Sequence, residues 1–259
     1  MVADLRIDLN ADLGEAFGVW SMGDDAAMLA QVSSANIACG FHAGDPQSMR
    51  TTAGNAASAG VAIGAHVAYR DLAGFGRRFV DAHPDELSAD VYYQLCALDG
   101  MARAAGEQVR YVKPHGALYH ACHDHRPHAA AVVEAMTLFA EATGRRLPLL
   151  LAPGALAHDL AAERGFATPK EVFADRGYNP DGTLVSRRAP GAVITDVPIV
   201  VEAMQRFVEE GTIIAIDGTV IPMEAESICL HGDTPGAVAM AESVRAALAG
   251  TGANIVSFA

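Results

Sequence analysis

Asn10, Asp12, Glu15, His42, Asp45, His66, Lys113, His115, Asp175, Arg176, His231 and Asp233 each stand at or just after the end of a short apolar run. Four of the ten histidines fall in this set. A carboxylate beside imidazoles supplies general acids and bases whose pKa the surroundings can tune. A lysine and an arginine can bind a carboxylate, a phosphate or a developing oxyanion. An aspartate with histidines can hold a divalent metal that activates water. Each option points to hydrolysis of an acyl or amide bond. No G-x-S-x-G nucleophile elbow is present, and no cysteine signature stands in for it, so activated water is the natural nucleophile.

Taken singly, several of these residues have structural explanations. Asp45 precedes Pro46 and reads as a helix cap. Cys39 and Cys229 read as small buried hydrophobes. The histidine-rich run 120–128 follows no ligand spacing and reads as a solvated loop flanking a helix. The argument for a site is the joint pattern, because turns alone do not call for an ionisable group at six strand ends.

The elements that must position these groups are read from periodicity. Apolar runs at 5–9, 34–40, 61–65, 109–112, 147–152, 168–173, 212–216 and 227–230 end in glycine and polar residues and read as buried parallel strands. Helices are expected over 46–59, 84–105, 127–143, 198–210 and 235–249. Asp45-Pro46 and Thr234-Pro235 are start signals, and Val200, Met204, Phe207 and Val208 form one face. Alternating strands and helices predict an α/β fold, an irregular (β/α) barrel of about seven strands, with an open doubly wound sheet as the alternative. In either fold the strand ends share one face, where ligands bind. Residues 69–83 and 176–198 interrupt the pattern and are candidate lids; the second carries the turn Asn179-Pro180-Asp181-Gly182 and an expected hairpin through 184–185 and 193–194.

The chain has 259 residues, of which 51% are apolar. That is enough for a substantial core in one domain over 1–259. A formal charge of −13 argues against nucleic acid and membrane surfaces as partners. Only Lys113 and Lys170 are lysines; neither follows a glycine-rich turn, so no P-loop exists, and no G-x-G-x-x-G motif is present. Four cysteines without a C-x-x-C pair, no signal peptide and no apolar run of about 20 residues predict a reduced, cytoplasmic protein.

Read together, the turns resemble the LamB/YcsF family. The motifs are Asn10-Ala11-Asp12-Leu13-Gly14-Glu15, the stretch from Asn36 through Gly40, His42 and Asp45 to Pro46, Lys113-Pro114-His115-Gly116, Glu171 to Asp175-Arg176, and His231-Gly232-Asp233-Thr234-Pro235. One turn departs from the family pattern: after His66 the chain reads Val67-Ala68-Tyr69-Arg70-Asp71, where Pro-Gly-Tyr-Pro-Asp is usual. The resemblance implies a polysaccharide-deacetylase-like barrel. It also implies ATP-dependent 5-oxoprolinase activity, the cleavage of 5-oxo-L-proline to L-glutamate, carried out with partner subunits B and C. ATP, with Mg2+, would then be used by the complex on the partner subunits.

On that reading Asp12, with His42 or His66, is base to the attacking water. Lys113 and His115 stabilise the oxyanion or phosphate, Arg176 holds the substrate carboxylate, and His231 with Asp233 completes proton transfer. Asn10, Glu15 and Asp175 join Arg176 and His231 as expected substrate-binding residues. Two other readings stay open. One is a stand-alone metal-dependent deacetylase or amidohydrolase with Asp12, His42 and His66 or His115 as ligands. The other is a regulator that binds a carbohydrate or organic acid.

Overall fold

The computed structural model describes residues 5–232 and 236–259. Asp233, Thr234 and Pro235 lie outside the described residues, and with them an expected proton-transfer residue and a helix start signal.

The strands are β1 (Arg6–Leu13), β2 (Ser34–Ala38), β3 (Ala62–His66), β4 (Val109–Val112), β5 (Glu171–Phe173), β6 (Thr212–Ile214), β7 (Val220–Pro222), β8 (Ser227–Leu230) and β9 (Asn254–Ile255). The helices are α1 (Asp25–Leu29), α2 (Pro46–Ala59), α3 (Pro84–Ala104), α4 (Gly116–Asp124), α5 (Arg126–Thr143), α6 (Leu156–Glu163), α7 (Val197–Glu210) and α8 (Ala237–Gly250). Helix ends match their local chemistry. Asp45 accepts from the backbone N–H of Gln47 and Ser48 at the start of α2, and Gly60 ends it in the left-handed conformation.

Parallel strands pair in the order β4-β3-β2-β1-β8-β5. The 149–151 segment closes the ring: Leu149 bridges Val112 on one side, and Leu151 bridges Lys170, beside β5, on the other. It makes bridges rather than a ladder. Pro148 and Pro169 flank these contacts and lack the N–H a longer ladder needs. The product is the expected irregular barrel, with 149–151 as its seventh stave.

Alternation along β1 decides what fills it. Ile7, Leu9, Ala11 and Leu13 join the apolar core. Asp8, Asn10 and Asp12 face the barrel interior, where they bond to side chains of other strands. Tyr111 lies across Gly64, its register partner on β3; a Cβ there would stand 2.1 Å from the ring. The same tyrosine donates from its hydroxyl to Asn36 Oδ1 at 2.6 Å. The barrel therefore has a polar lining inside and an apolar layer between strands and helices.

Three expectations are corrected. The 212–216 run is no barrel strand: β6 pairs antiparallel with β7 in a separate ribbon. Gly218, at φ +90°, turns the chain back, and Asp217 caps the turn by accepting from Thr219 N–H, so turn chemistry overrides the βα reading. The 184–185 and 193–194 pairs form no hairpin with each other; Tyr178 bridges Leu184 and Arg176 bridges Val193. The histidine run is helical, because α4 and α5 meet at His125. Within it His128 is buried and bonded to the Tyr69 hydroxyl at 2.6 Å.

Burial holds His128 and His158 below the usual histidine range. On unfolding they take up protons near pH 6.5 that the folded chain refuses. Their contribution to stability is thus full above that pH and lost as pH falls through it. Asp8, pushed up to about 6 by burial, acts in the opposite sense but only between about pH 4 and 6. The urea midpoint is expected to fall between pH 7.5 and pH 6; a flat midpoint would contradict this account.

Candidate active site

A cavity of about 940 Å³ opens at the C-terminal ends of the strands, and its lining includes Asp12, His66, Lys113, His115, Arg176 and His231. β1 supplies Asp12, β3 ends on His66, and β4 runs into Lys113 and His115. Both irregular segments wall the cavity: Arg77 and Arg78 come from the first, Ser186 and Arg187 from the second.

Lys113 is 2% exposed. Its ammonium reaches Asn10 Oδ1 (3.0 Å), Cys229 Sγ (3.0 Å), Glu171 Oε2 (3.1 Å) and Asp12 Oδ1 (3.4 Å). Burial alone would lower its pKa, but Asp12, Cys229 and Glu171 outweigh burial and hold it well above the usual lysine range. For Asp12, burial would raise the carboxyl; His66 and Lys113 outweigh that and hold it well below the usual range. Asp12 is therefore a standing negative charge on the cavity floor. Asn36 fixes its position by donating to both Asp12 Oδ1 (2.8 Å) and Asn10 Oδ1 (2.7 Å).

Three histidines pack against this carboxylate. His42 stacks on His115 at 3.8 Å, with planes 7° apart, and His66 meets both edge-on. His66 Nε2 lies 3.3 Å from Asp12 Oδ2 and 2.9 Å from His115 Nδ1. Glu15 Oε1 accepts from His42 Nε2 at 3.1 Å. Burial keeps His42 and His115 well below the usual range, with the other rings of the cluster adding to the effect. Above the cluster, the Phe75 carbonyl accepts from His115 Nε2 at 2.9 Å. Phe75 is the one non-glycine residue among those described at positive φ (54°), a costly conformation for a bulky side chain. Gly76 (φ +62°) follows because a Cβ there would stand 2.7 Å from His115 Cδ2 and His42 Cβ.

On the opposite wall His231 Nδ1 donates to Asp175 (2.8 Å), leaving Nε2 to accept from Arg187 at 2.7 Å. An acid–imidazole–guanidinium chain of hydrogen bonds thus ends at the cavity. Arg176 lines the cavity too, and its Nε and Nη2 donate to the backbone oxygens of Ala192 (2.8 Å) and Val185 (2.7 Å) and so pin the 176–198 segment.

A profile of the LamB/YcsF family matches residues 7–259. The chain belongs to the LamB/YcsF family. A protein of Kocuria rhizophila described as the A subunit of 5-oxoprolinase is 59% identical, over 98% of this chain and 99% of its own length. One of Cutibacterium acnes with the same description is 56% identical, over 96% and 97%. The crystal structure of a lactam utilization protein from Thermus thermophilus superposes with a TM-score of 0.91 at 39% identity, covering 98% of this chain and 100% of that one. A putative cellobiose-phosphate cleavage protein of Enterococcus faecalis (TM-score 0.53, 11% identity, 98% and 97% covered) shares the fold.

In this LamB/YcsF chain the sequence-derived residues sort into layers. Asp12, His66, Lys113, His115, Arg176 and His231 line the cavity. Glu15 and His42 stand against His115, Asp175 braces His231, and Asn10 sits beside Lys113 within the barrel. Asn10 and Asp12 lie within β1 rather than after it, since the strand runs on to Leu13. Asp45 is the helix cap it was read as. Sequence reasoning assigned no role to Glu171, Asn36 or Arg187, and read Cys229 as plain packing. For Asn36 and Glu171 the available signal was a polar residue inside an otherwise buried strand. For Arg187 there was none.

Proposed function

We propose that this chain is the A subunit of a cytoplasmic ATP-dependent 5-oxoprolinase, acting as one domain over 1–259 with subunits B and C. The reaction is cleavage of 5-oxo-L-proline to L-glutamate coupled to ATP hydrolysis. The observation that carries the reading is the end-to-end likeness, at 59% and 56% identity, to relatives described as the A subunit of 5-oxoprolinase. The chemistry of the cavity supports it.

A lactam is a resonance-stabilised amide whose reclosure is intramolecular and therefore favoured. Phosphorylation of the lactam oxygen from ATP, on the partner subunits with Mg2+, makes the ring carbon electrophilic. Water then adds to that carbon at the Asp12–His66–His115 cluster. The ring C–N bond breaks as the nitrogen takes a proton, and the resulting acyl phosphate is hydrolysed by a second water. Asp12, held ionised, orients the water with His66. Lys113 supplies positive potential beneath the developing oxyanion. Arg187, held by His231 and Asp175, and Arg176 favour an anionic substrate at the mouth, and the proton taken from the water by Asp12 and His66 passes to nitrogen.

The test is glutamate formation from 5-oxoproline by the purified chain alone, then with subunits B and C and ATP. Turnover is expected only in the full mixture with ATP. Turnover by the chain alone without ATP would overturn the division of labour and favour a stand-alone amidohydrolase. None in the full mixture would overturn the reading itself.

A further inference from the structure

The histidine cluster contains a contact that hydrogen bonding between neutral groups cannot explain. A backbone carbonyl only accepts, so a ring nitrogen facing one must carry the hydrogen. His66 Nδ1 faces the Lys113 carbonyl at 2.9 Å, and His115 Nε2 faces the Phe75 carbonyl at 2.9 Å. In each neutral ring the remaining nitrogen is then a bare lone pair. Those two nitrogens, His66 Nε2 and His115 Nδ1, face each other at 2.9 Å. The other nearby atoms are also acceptors: Asp12 Oδ2 stands 3.3 Å from His66 Nε2, and Glu15 Oε1 stands 3.7 Å from His115 Nδ1. Glu15 is held in place by His42, whose Nε2–H donates to it. With neutral rings, two lone pairs and the Asp12 and Glu15 carboxylates face one another here, and either a shared proton or a metal ion reconciles them.

Such a convergence needs a positive centre. We propose that it is a binding site for a divalent transition-metal cation of the zinc class, held by His66 Nε2, His115 Nδ1 and the carboxylate of Glu15, with Asp12 standing against His66. Ligand atoms of Glu15, His66 and His115 lie within 4.8 Å of one another, a span that ligands about 2.0–2.2 Å from a common ion can occupy. Two imidazoles among the donors favour zinc, with cobalt as its spectroscopic substitute, over calcium, magnesium or manganese. His42 is better placed as the donor that orients Glu15 than as a ligand. Its Nε2–H donates to Glu15, which places His42 in the same cluster behind the carboxylate. Both backbone clamps suit the purpose, since ring orientation and tautomer are what a metal-binding histidine needs fixed from behind. That the ion activates the attacking water rests on the proposed function; the binding site itself rests on geometry alone.

The chelator-treated chain is titrated with ZnCl2 by calorimetry and with CoCl2 by visible absorbance. One ion per chain is expected. Co(II) should give ligand-field bands and broaden the ring resonances of His66 and His115. His115→Gln and Glu15→Gln should each weaken zinc binding by about 100-fold or more. His123→Gln, in α4 and outside the cluster, should leave it unchanged. Absence of binding, equal affinity in the two cluster variants and wild type, or a proton shared between His66 and His115 that persists with excess zinc would overturn the proposal. Should a variant fail to fold, the Co(II) effect on the wild-type resonances decides. These readouts do not involve turnover, so failure here leaves the 5-oxoprolinase reading standing, and failure of that reading leaves the cation site standing.

Discussion

Asp12→Asn is expected to slow 5-oxoproline ring opening in the reconstituted complex by about a thousandfold with little loss of stability. The carboxylate is 8% exposed and is the fixed negative charge of the cavity floor. Losing a group that handles the proton of an attacking water costs about 10²- to 10⁴-fold. Asparagine keeps the size and the oxygen that accepts from Asn36, but it removes the charge opposite His66. Lys113 keeps Glu171 as its counter-ion, so the fold should survive. Single-turnover glutamate formation measures the effect. A rate within tenfold of wild type, in a variant with an unchanged melting temperature, would remove Asp12 from the reacting centre.

Lys113→Met should be the most damaging single change to stability, at about 3–5 kcal/mol, the usual cost of stranding a buried charge. It leaves Glu171 and Asp12 facing each other inside the barrel without their shared cation. Glu171 is fully buried, and its other partners, the Asn10 amide and the Tyr119 hydroxyl, carry no charge to compensate. The double variant Lys113→Met with Glu171→Gln should recover part of the loss, because it removes one of the stranded charges. Urea denaturation of the single and double variants measures both terms. A loss under 1 kcal/mol for the single variant would mean that the carboxylates take up protons or water and that Lys113 is no keystone. In a chain that otherwise uses arginine, a lysine suits this place: a compact ammonium points its three hydrogens in separate directions, which a planar guanidinium cannot do.

How much of the site was legible depended on where the information is stored. Asp12, His66 and His115 were found because parallel strands send their C-terminal ends to one face, and a βα turn marks each end in the sequence. Glu171 and Asn36 were passed over because they lie within strands, where a buried polar residue is recognisable only once the inside of the barrel is known. Arg176, read as a carboxylate ligand, lines the cavity while its Nε and Nη2 hold loop carbonyls. Arg187, from an irregular stretch with no periodic signal, reaches His231 instead.

The sequence by itself determined five of the eight helices among the described residues, most barrel strands, the parallel α/β class and the family. Caps, prolines, glycines and hydrophobic periods act over a few residues, and each names its element without reference to the rest of the chain. Tertiary structure decided that 149–151 would close the barrel and that β6 would leave it. It also decided that Lys113 would turn inward and that two histidine lone pairs would face each other. Those outcomes depend on register between strands far apart in the chain; the Asn10 to Glu171 bond spans 161 residues. The tautomers of His66 and His115 are set by carbonyls on other segments, Lys113 and Phe75. A ring's proton goes where an acceptor stands, and only the folded barrel says where that is.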